Sequence, residues 1–211
     1  MKALILVDLQ YDFCPGGALA VEEGDQLIPL ANALMPHFDL VVATQDWHPV
    51  VHKSFAANHP WTRVGQVIDL NGLQQVLWPI HCVQGTMGAD LLDALNKNGI
   101  DIIFRKGTDP EIDSYSAFYD NGHRKSTGLK GYLQELGVTE LYVMGLATDY
   151  CVKYTVLDAL SIGFDVKLIS DACRGVELKE GDVAAAIADM QEKGAQLVSS
   201  TAILEATDSA V

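Results

Sequence analysis

Short apolar runs alternate along the chain with longer segments whose apolar residues recur at helical spacing. The runs at residues 3–9, 40–44, 101–104, 141–146, 166–170 and 196–199 are continuous rather than alternating, and are mostly rich in Leu, Ile and Val. Such runs suit strands buried on both faces of a parallel sheet. Between them, residues 25–38 place Leu27, Leu30, Ala31 and Leu34 on one stripe, and residues 89–98 carry Leu91, Leu92 and Leu95 before Gly99. Residues 129–136, 148–162 and 183–193 repeat the phrase and stop at Gly137, Gly163 and Gly194. Glycine just past the last periodic residue is a helix stop, because it enters the left-handed region without a Cβ clash. Strand–helix alternation of this kind predicts a three-layer α/β fold with a mostly parallel sheet.

Two stretches break the rhythm. Residues 46–86 hold all three Trp and four of the six His, and residues 107–128 are polar with Tyr115, Phe118 and Tyr119 among them. Long irregular segments inside a compact domain usually carry function. No linker composition divides the 211 residues, so one domain spanning 1–211 is expected, with a loose tail from about Thr207.

Charge narrows the classes. Fourteen basic against 28 acidic residues give a formal charge of −14. An extended nucleic-acid surface or docking on anionic lipid needs clustered cations, so neither is expected. No apolar run approaches a membrane span, and the opening run, which meets Asp8, is too short for a secretory signal. Cys14, Cys82, Cys151 and Cys173 are far apart with no C-x-x-C pair. Reduced thiols in a cytoplasmic protein are the expectation.

The reactive side chains fall where the strands end. In open α/β sheets ligands sit beyond the carboxyl ends of the strands. Asp8 closes the first run, Asp46 and His48 the second, Lys106 follows the third, and Cys151 follows the fourth at the start of a helix. A lone Cys is more often buried and inert, a lone Lys solvated, and a lone Asp a turn residue. Their convergence on one edge outweighs each of those alternatives. A helix start favours the thiolate of Cys151, with Thr148 or Asp149 as the cap. A carboxylate can take the thiol proton while an ammonium holds the carboxylate in place. Asp46 and His48, two apart, share one side of an extended segment, and His81 lies far enough along for the loop to fold back. Asp plus two His suits a divalent ion with open positions, Zn²⁺, Fe²⁺ or Mn²⁺. His52 is either a fourth ligand or a neighbour of the ligands. His37, His59 and His123 read as surface residues. Phe13, Trp78, Tyr115 and Tyr119 could wall a pocket for a planar ring.

Taken together, these segments resemble the nicotinamidase/pyrazinamidase family of isochorismatase-like cysteine hydrolases. The resemblance runs over essentially the whole chain. It is carried by Leu6-Val7-Asp8-Leu9-Gln10-Tyr11-Asp12-Phe13, Thr44-Gln45-Asp46-Trp47-His48-Pro49 and His52-Lys53-Ser54-Phe55-Ala56. It continues through Trp78-Pro79-Ile80-His81-Cys82-Val83-Gln84-Gly85-Thr86, Asp113-Ser114-Tyr115-Ser116-Ala117-Phe118, Val143 to Val152, and Asp171-Ala172-Cys173-Arg174-Gly175. It implies a six-stranded parallel sheet flanked by helices. It implies Cys151 as nucleophile, Asp8 as proton acceptor and Lys106 as their cationic partner. The backbone N–H groups of Ala147 and Cys151 would form the oxyanion hole, beside a cis Leu146–Ala147 bond. Phe13, Trp78 and Tyr115 would hold a pyridine ring, and Asp46, His48 and His81 one divalent metal, zinc before iron or manganese. His52 stays outside the implied metal set, because its loop is spaced differently. The implied reaction is deamidation of nicotinamide, and of pyrazinamide, to the acid and ammonia through a Cys thioester, a step of NAD salvage. The implied partner is this small substrate, and a homo-oligomer stays open. A flavodoxin-like carrier is disfavoured, since Cys14-Pro15-Gly16-Gly17 lacks the Lys and Ser/Thr of a phosphate-cradling loop.

Overall fold

A computed structural model describes residues 1–208. Six parallel strands form one sheet in the order β5-β2-β1-β6-β7-β8. They are β1 (Lys2–Val7), β2 (Leu40–Asp46), β5 (Ile102–Lys106), β6 (Glu140–Leu146), β7 (Asp165–Arg174) and β8 (Gln196–Val198). A separate antiparallel hairpin pairs β3 (Val67–Leu70) with β4 (Leu73–Val76). The helices are α1 (Leu27–Leu34), α2 (Leu129–Glu135), α3 (Lys153–Ser161), α4 (Asp182–Glu192) and α5 (Ser200–Asp208).

The continuous apolar runs became the central strands. Every residue of β2 is buried, and so are Ala3 to Val7 of β1 and Leu141 to Leu146 of β6. The chain starts in the middle of the sheet, builds outward through β2 and β5, then returns to build the other half from β6. Right-handed crossovers running in opposite directions place their helices on opposite faces. Accordingly α1 packs with α5, and α3 with α4. The direction changes between β1 and β6, the place where such a sheet leaves a crevice at its carboxyl edge. Among the described residues no helix is long and apolar enough to cross a membrane.

Three sequence expectations need correction. Residues 89–98 are not a helix. The backbone of this segment is drawn instead onto the loop after β1, with Tyr11 N–H donating to Asp90 O and Leu92 N–H to Leu9 O. Leu91, Leu92 and Leu95 are still buried, so the apolar pattern recorded burial rather than helical form. Without a helix there, Ile103 and Arg105 of β5 stay exposed on that face, while Phe104 packs on Tyr132 of α2. Second, the β3–β4 hairpin lies inside the long stretch read as irregular. Third, α5 extends beyond the last expected element. Its start is tied down by Asp171, which accepts the Ser200 N–H at 2.8 Å and its hydroxyl at 2.5 Å. The helix includes Thr207 and Asp208, and the rest of the expected tail lies outside the described residues.

The central strands approach closely at Gly145. Its φ is +122°, and a Cβ there would sit 2.2 Å from the Val7 carbonyl oxygen. Gly145→Ala is therefore expected to cost at least about 2 kcal/mol of stability, measured by urea denaturation. A change below about 0.5 kcal/mol would contradict this close approach.

Candidate active site

Lys106 closes β5 and lies opposite Asp46 in the β2–β5 register. It is 2% exposed. An ammonium has three N–H groups. Those of Lys106 reach Asp46 Oδ1 at 2.6 Å, the Ser114 carbonyl at 3.1 Å and Cys151 Sγ at 3.3 Å. Asp8 Oδ2 is also close to the ammonium, at 2.8 Å, but receives no aligned hydrogen bond. It remains a buried acceptor beside the thiol. Asp8 lies one residue past β1 with φ +49°. Thr44, inside the buried β2, holds it from both sides: the hydroxyl donates to Asp8 Oδ1 at 2.5 Å and accepts the Asp8 N–H at 3.1 Å.

Cys151 lies in the turn Thr148–Val152 between β6 and α3, a single π-helical turn. The Leu146–Ala147 bond before it is cis. The expected cap is not formed. Asp149 instead accepts the N–H groups of Val176 and Glu177, at 2.9 and 2.8 Å, and so fastens the loop after β7 over this turn. Thr148 Oγ1 is buried without a hydrogen-bond partner.

These contacts separate the proton affinities of the groups. Burial alone would suppress the charge on Lys106, but Asp46, Asp8 and Cys151 outweigh it and hold the ammonium charged well above its usual range. Burial would also raise Asp46, yet Lys106 and His48 hold its carboxyl well below the usual range. Asp8 is raised, by burial first, with neighbouring Asp46 adding and Lys106 opposing. The Cys151 thiol is pushed well up, chiefly by burial and against the pull of Lys106. Burial thus favours the thiol form of Cys151, against the pull of a helix start and of Lys106 toward the thiolate. Of the two carboxylates, Asp8 is the more basic, and it stands next to that thiol. Two carboxylates driven apart in this way mark acid–base chemistry.

Beside Lys106 lies a nest of imidazoles. Asp46 Oδ2 is 3.4 Å from His48 Nε2 and 3.8 Å from His81 Nε2. Ligand atoms of these three residues all lie within 4.8 Å of one another. His48 Nδ1 is 2.8 Å from the Gly107 carbonyl, and His81 Nδ1 2.8 Å from the Pro79 carbonyl. A carbonyl partner puts the proton on Nδ1 and leaves the Nε2 lone pair facing inward. His48 Nε2 is buried and unpartnered. Gly107 must be glycine here, since a Cβ would lie 2.3 Å from His48 Cε1. The long loop folds back because His48 N–H donates to Cys82 O, and Cys82 N–H donates to Asp12 Oδ2. His52 is fully buried, its ring centre 4.3 Å from that of His48. Its Nδ1 meets Ser54 Oγ at 2.7 Å, its Nε2 has no partner, and burial holds it neutral, near pKa 4. The structure also sets ligand atoms of His48, His52 and Asp113 within 4.8 Å of one another. His123 is exposed beside Asp158, as a surface residue would be.

A cleft opens above Cys151, and Phe13, Trp78, Tyr115, Ala147 and His81 line it with Tyr150, Leu19 and Val176. Tyr119 is not among the lining residues and stacks on His123. The Tyr115 hydroxyl accepts from Trp78 Nε1 at 3.1 Å and from Gln75 Nε2 at 3.0 Å, and Gln75 reaches Asp113 as well. Gln75 comes from the β3–β4 hairpin, which sequence reading passed over. Thr44 and Tyr150 were likewise missed as parts of the site. The available signal was a polar pair, Thr44-Gln45, inside an otherwise apolar strand, and an aromatic directly before Cys151.

Lys106 neutralises charges that would otherwise be buried alone. Lys106→Met is expected to destabilise the protein by about 3–5 kcal/mol in urea denaturation, and Asp8→Asn in that background should recover part of the loss. Equal stability of parent and Lys106→Met would contradict the buried network.

The Isochorismatase domain model matches residues 2–202. The chain is 51% identical over 203 residues to a nicotinamidase of Escherichia coli (strain K12), covering 93% of each chain. It superposes on an Acinetobacter baumanii nicotinamidase/pyrazinamidase with a TM-score of 0.93 and 48% identity, over 96% of this chain and 97% of that one. A pyrazinamidase of Pyrococcus horikoshii in complex with zinc matches with a TM-score of 0.76 and 39% identity, over 94% of this chain and 98% of that one. With a thiol, two carboxylates and an ammonium buried at the switch point of its sheet, the chain belongs to the isochorismatase-domain family and, within it, to the nicotinamidase/pyrazinamidase group of amide hydrolases.

Proposed function

We propose that the chain is one hydrolase domain that converts nicotinamide to nicotinate and ammonia, with Cys151 as nucleophile. The observation that carries this is the Lys106 ammonium, 3.3 Å from Cys151 Sγ and 2.8 Å from Asp8, beneath a cleft walled by aromatic rings. Asp8 takes the thiol proton, and Lys106 offsets the negative charge that appears on sulfur. The sulfur attacks the carboxamide carbon and forms the C–S bond, and the carbonyl electron pair moves onto oxygen. The N–H groups of Ala147 and Cys151 receive that oxyanion. As the tetrahedral centre collapses, the C–N bond breaks and the nitrogen leaves as ammonia with the proton from Asp8. The ionised Asp8 then removes a proton from water, which attacks the thioester. Collapse releases the acid, and the proton returns to sulfur. Phe13, Trp78 and Tyr115 hold the ring so that the carboxamide meets Cys151.

Asp46, His48 and His81 fit a divalent ion: one ionised carboxylate and two imidazoles converge, with a buried, unpartnered Nε2 on His48. Zinc is the first choice, by likeness to the Pyrococcus horikoshii structure. When bound, the ion supplies a Lewis-acid position that a ring nitrogen can occupy, which orients the substrate. The four thiols, none in a disulfide, suit a reducing compartment such as the cytoplasm.

Purified protein is expected to release ammonia from nicotinamide, with pyrazinamide as a second substrate. Cys151→Ala should lower kcat by at least about 10⁴-fold and keep fold and metal. Near-parent turnover by that variant would exclude Cys151 as nucleophile, and no release from nicotinamide by the metal-loaded parent would point to another amide. Separately, Asp46→Ala and His81→Ala should each strip the metal and raise KM. Unchanged metal content on elemental analysis would refute the ligand set.

A further inference from the structure

Gln10 has no part in the chemistry above, yet its side chain is fully buried at the edge of the site. Strands β1 and β2 pair from Ala3 with Leu40 to Leu6 with Ala43. Beyond that the β1 chain turns away at Asp8, while β2 continues to Asp46. The N–H and C=O of one strand residue point to the same side. Those of Asp46 therefore point to where β1 no longer runs. The Gln10 amide fills that gap. Its Oε1 accepts the Asp46 N–H at 2.8 Å, and its Nε2 donates to the Asp46 carbonyl at 2.8 Å. The second Nε2 hydrogen goes to the Ala89 carbonyl at 2.8 Å. Two carbonyl acceptors facing one end and an N–H facing the other fix the orientation of the amide.

We propose that Gln10 is a positioning residue for Asp46, a side-chain stand-in for the missing strand residue. It sets the height at which the Asp46 carboxylate meets both Lys106 and the two imidazoles. This rests on the assignment of Asp46 as a metal ligand. Asparagine is one methylene too short to span both groups, and glutamate keeps the acceptor but loses both donors.

A neighbouring amide supplies the control. Gln45 Nε2 donates to the same Ala89 carbonyl at 3.0 Å, whereas the hydrogen bonds to the Asp46 N–H and carbonyl are made by Gln10. Zinc affinity would be measured by chelator competition for the parent, Gln10→Met, Gln10→Glu, Gln45→Met and Asp46→Ala, beside urea denaturation of each metal-free protein. Gln10→Met is expected to weaken zinc binding by about 10–100-fold, and Gln45→Met by less than about threefold, at comparable loss of stability. If Gln10→Met does not fold, Gln10→Glu decides by the same criterion. Parent-like zinc affinity in the folded Gln10 variants, with zinc lost from Asp46→Ala, overturns the proposal and leaves the metal assignment standing. So does an equal loss in Gln10→Met and Gln45→Met, because the effect is then general loosening of the Ala89 turn. Zinc retained by Asp46→Ala overturns the metal assignment and the proposal with it.

Discussion

A single buried ammonium organises this molecule. Lys106 sits out of water with two carboxylates and a thiol around it, and no member of the group is stable there alone. Moving one charge into a low-dielectric interior costs several kcal/mol, and only well-placed partners offset it. The same need for partners sets the chemistry. Asp46 takes the shorter contact with Lys106 and the neighbouring imidazoles, and stays ionised. Asp8 takes the longer contact with Lys106, at 2.8 Å, and has a raised affinity for a proton and a thiol at its side. A structural requirement and a division of labour between two carboxylates are thus one arrangement.

The sheet explains why these residues meet. Parallel strands all deliver their carboxyl ends to one edge, so charged groups that close apolar runs converge without any being near another in sequence. Asp8, Asp46 and Lys106 come from three adjacent strands, and Cys151 from the strand on the other side of β1. The loops then face the task of closing this edge. The segment after β2 does so by pinning itself back at several points, with bridges pairing His48 with Val83 and Phe55 with Trp78. This brings the second imidazole and one aromatic wall to the site.

Much of this was legible in the chain, for a physical reason. Asp or Lys directly after a continuous apolar run is hard to place except at a strand end, so the edge where the charged side chains converge could be read from where charge interrupts hydrophobicity. Three kinds of feature were not legible. The segment carrying Leu91, Leu92 and Leu95 has helical spacing, but its backbone partners come from the loop after β1, a tertiary fact that overrides local pattern. The β3–β4 hairpin is short and its burial pattern is weak, and no glycine stop marks the end of the segment that forms α5. Finally Thr44, Gln10 and Gln75 act through hydrogen bonds of uncharged side chains. An amide or hydroxyl in a sequence does not announce which backbone group, carboxylate or phenol it will hold.

The proposed use of Cys151 as nucleophile, with Lys106 in contact with both its sulfur and Asp8, has one direct chemical consequence, an acyl group carried on sulfur. Rapid acid quench of the enzyme during turnover of nicotinamide, followed by peptide mass spectrometry, reads that state. A nicotinoyl group on the peptide containing Cys151, formed and lost at rates that match turnover, is the result expected. Acyl transfer to any other residue, or single-turnover product formation with no acyl-enzyme under quench conditions that preserve a model thioester, would contradict it.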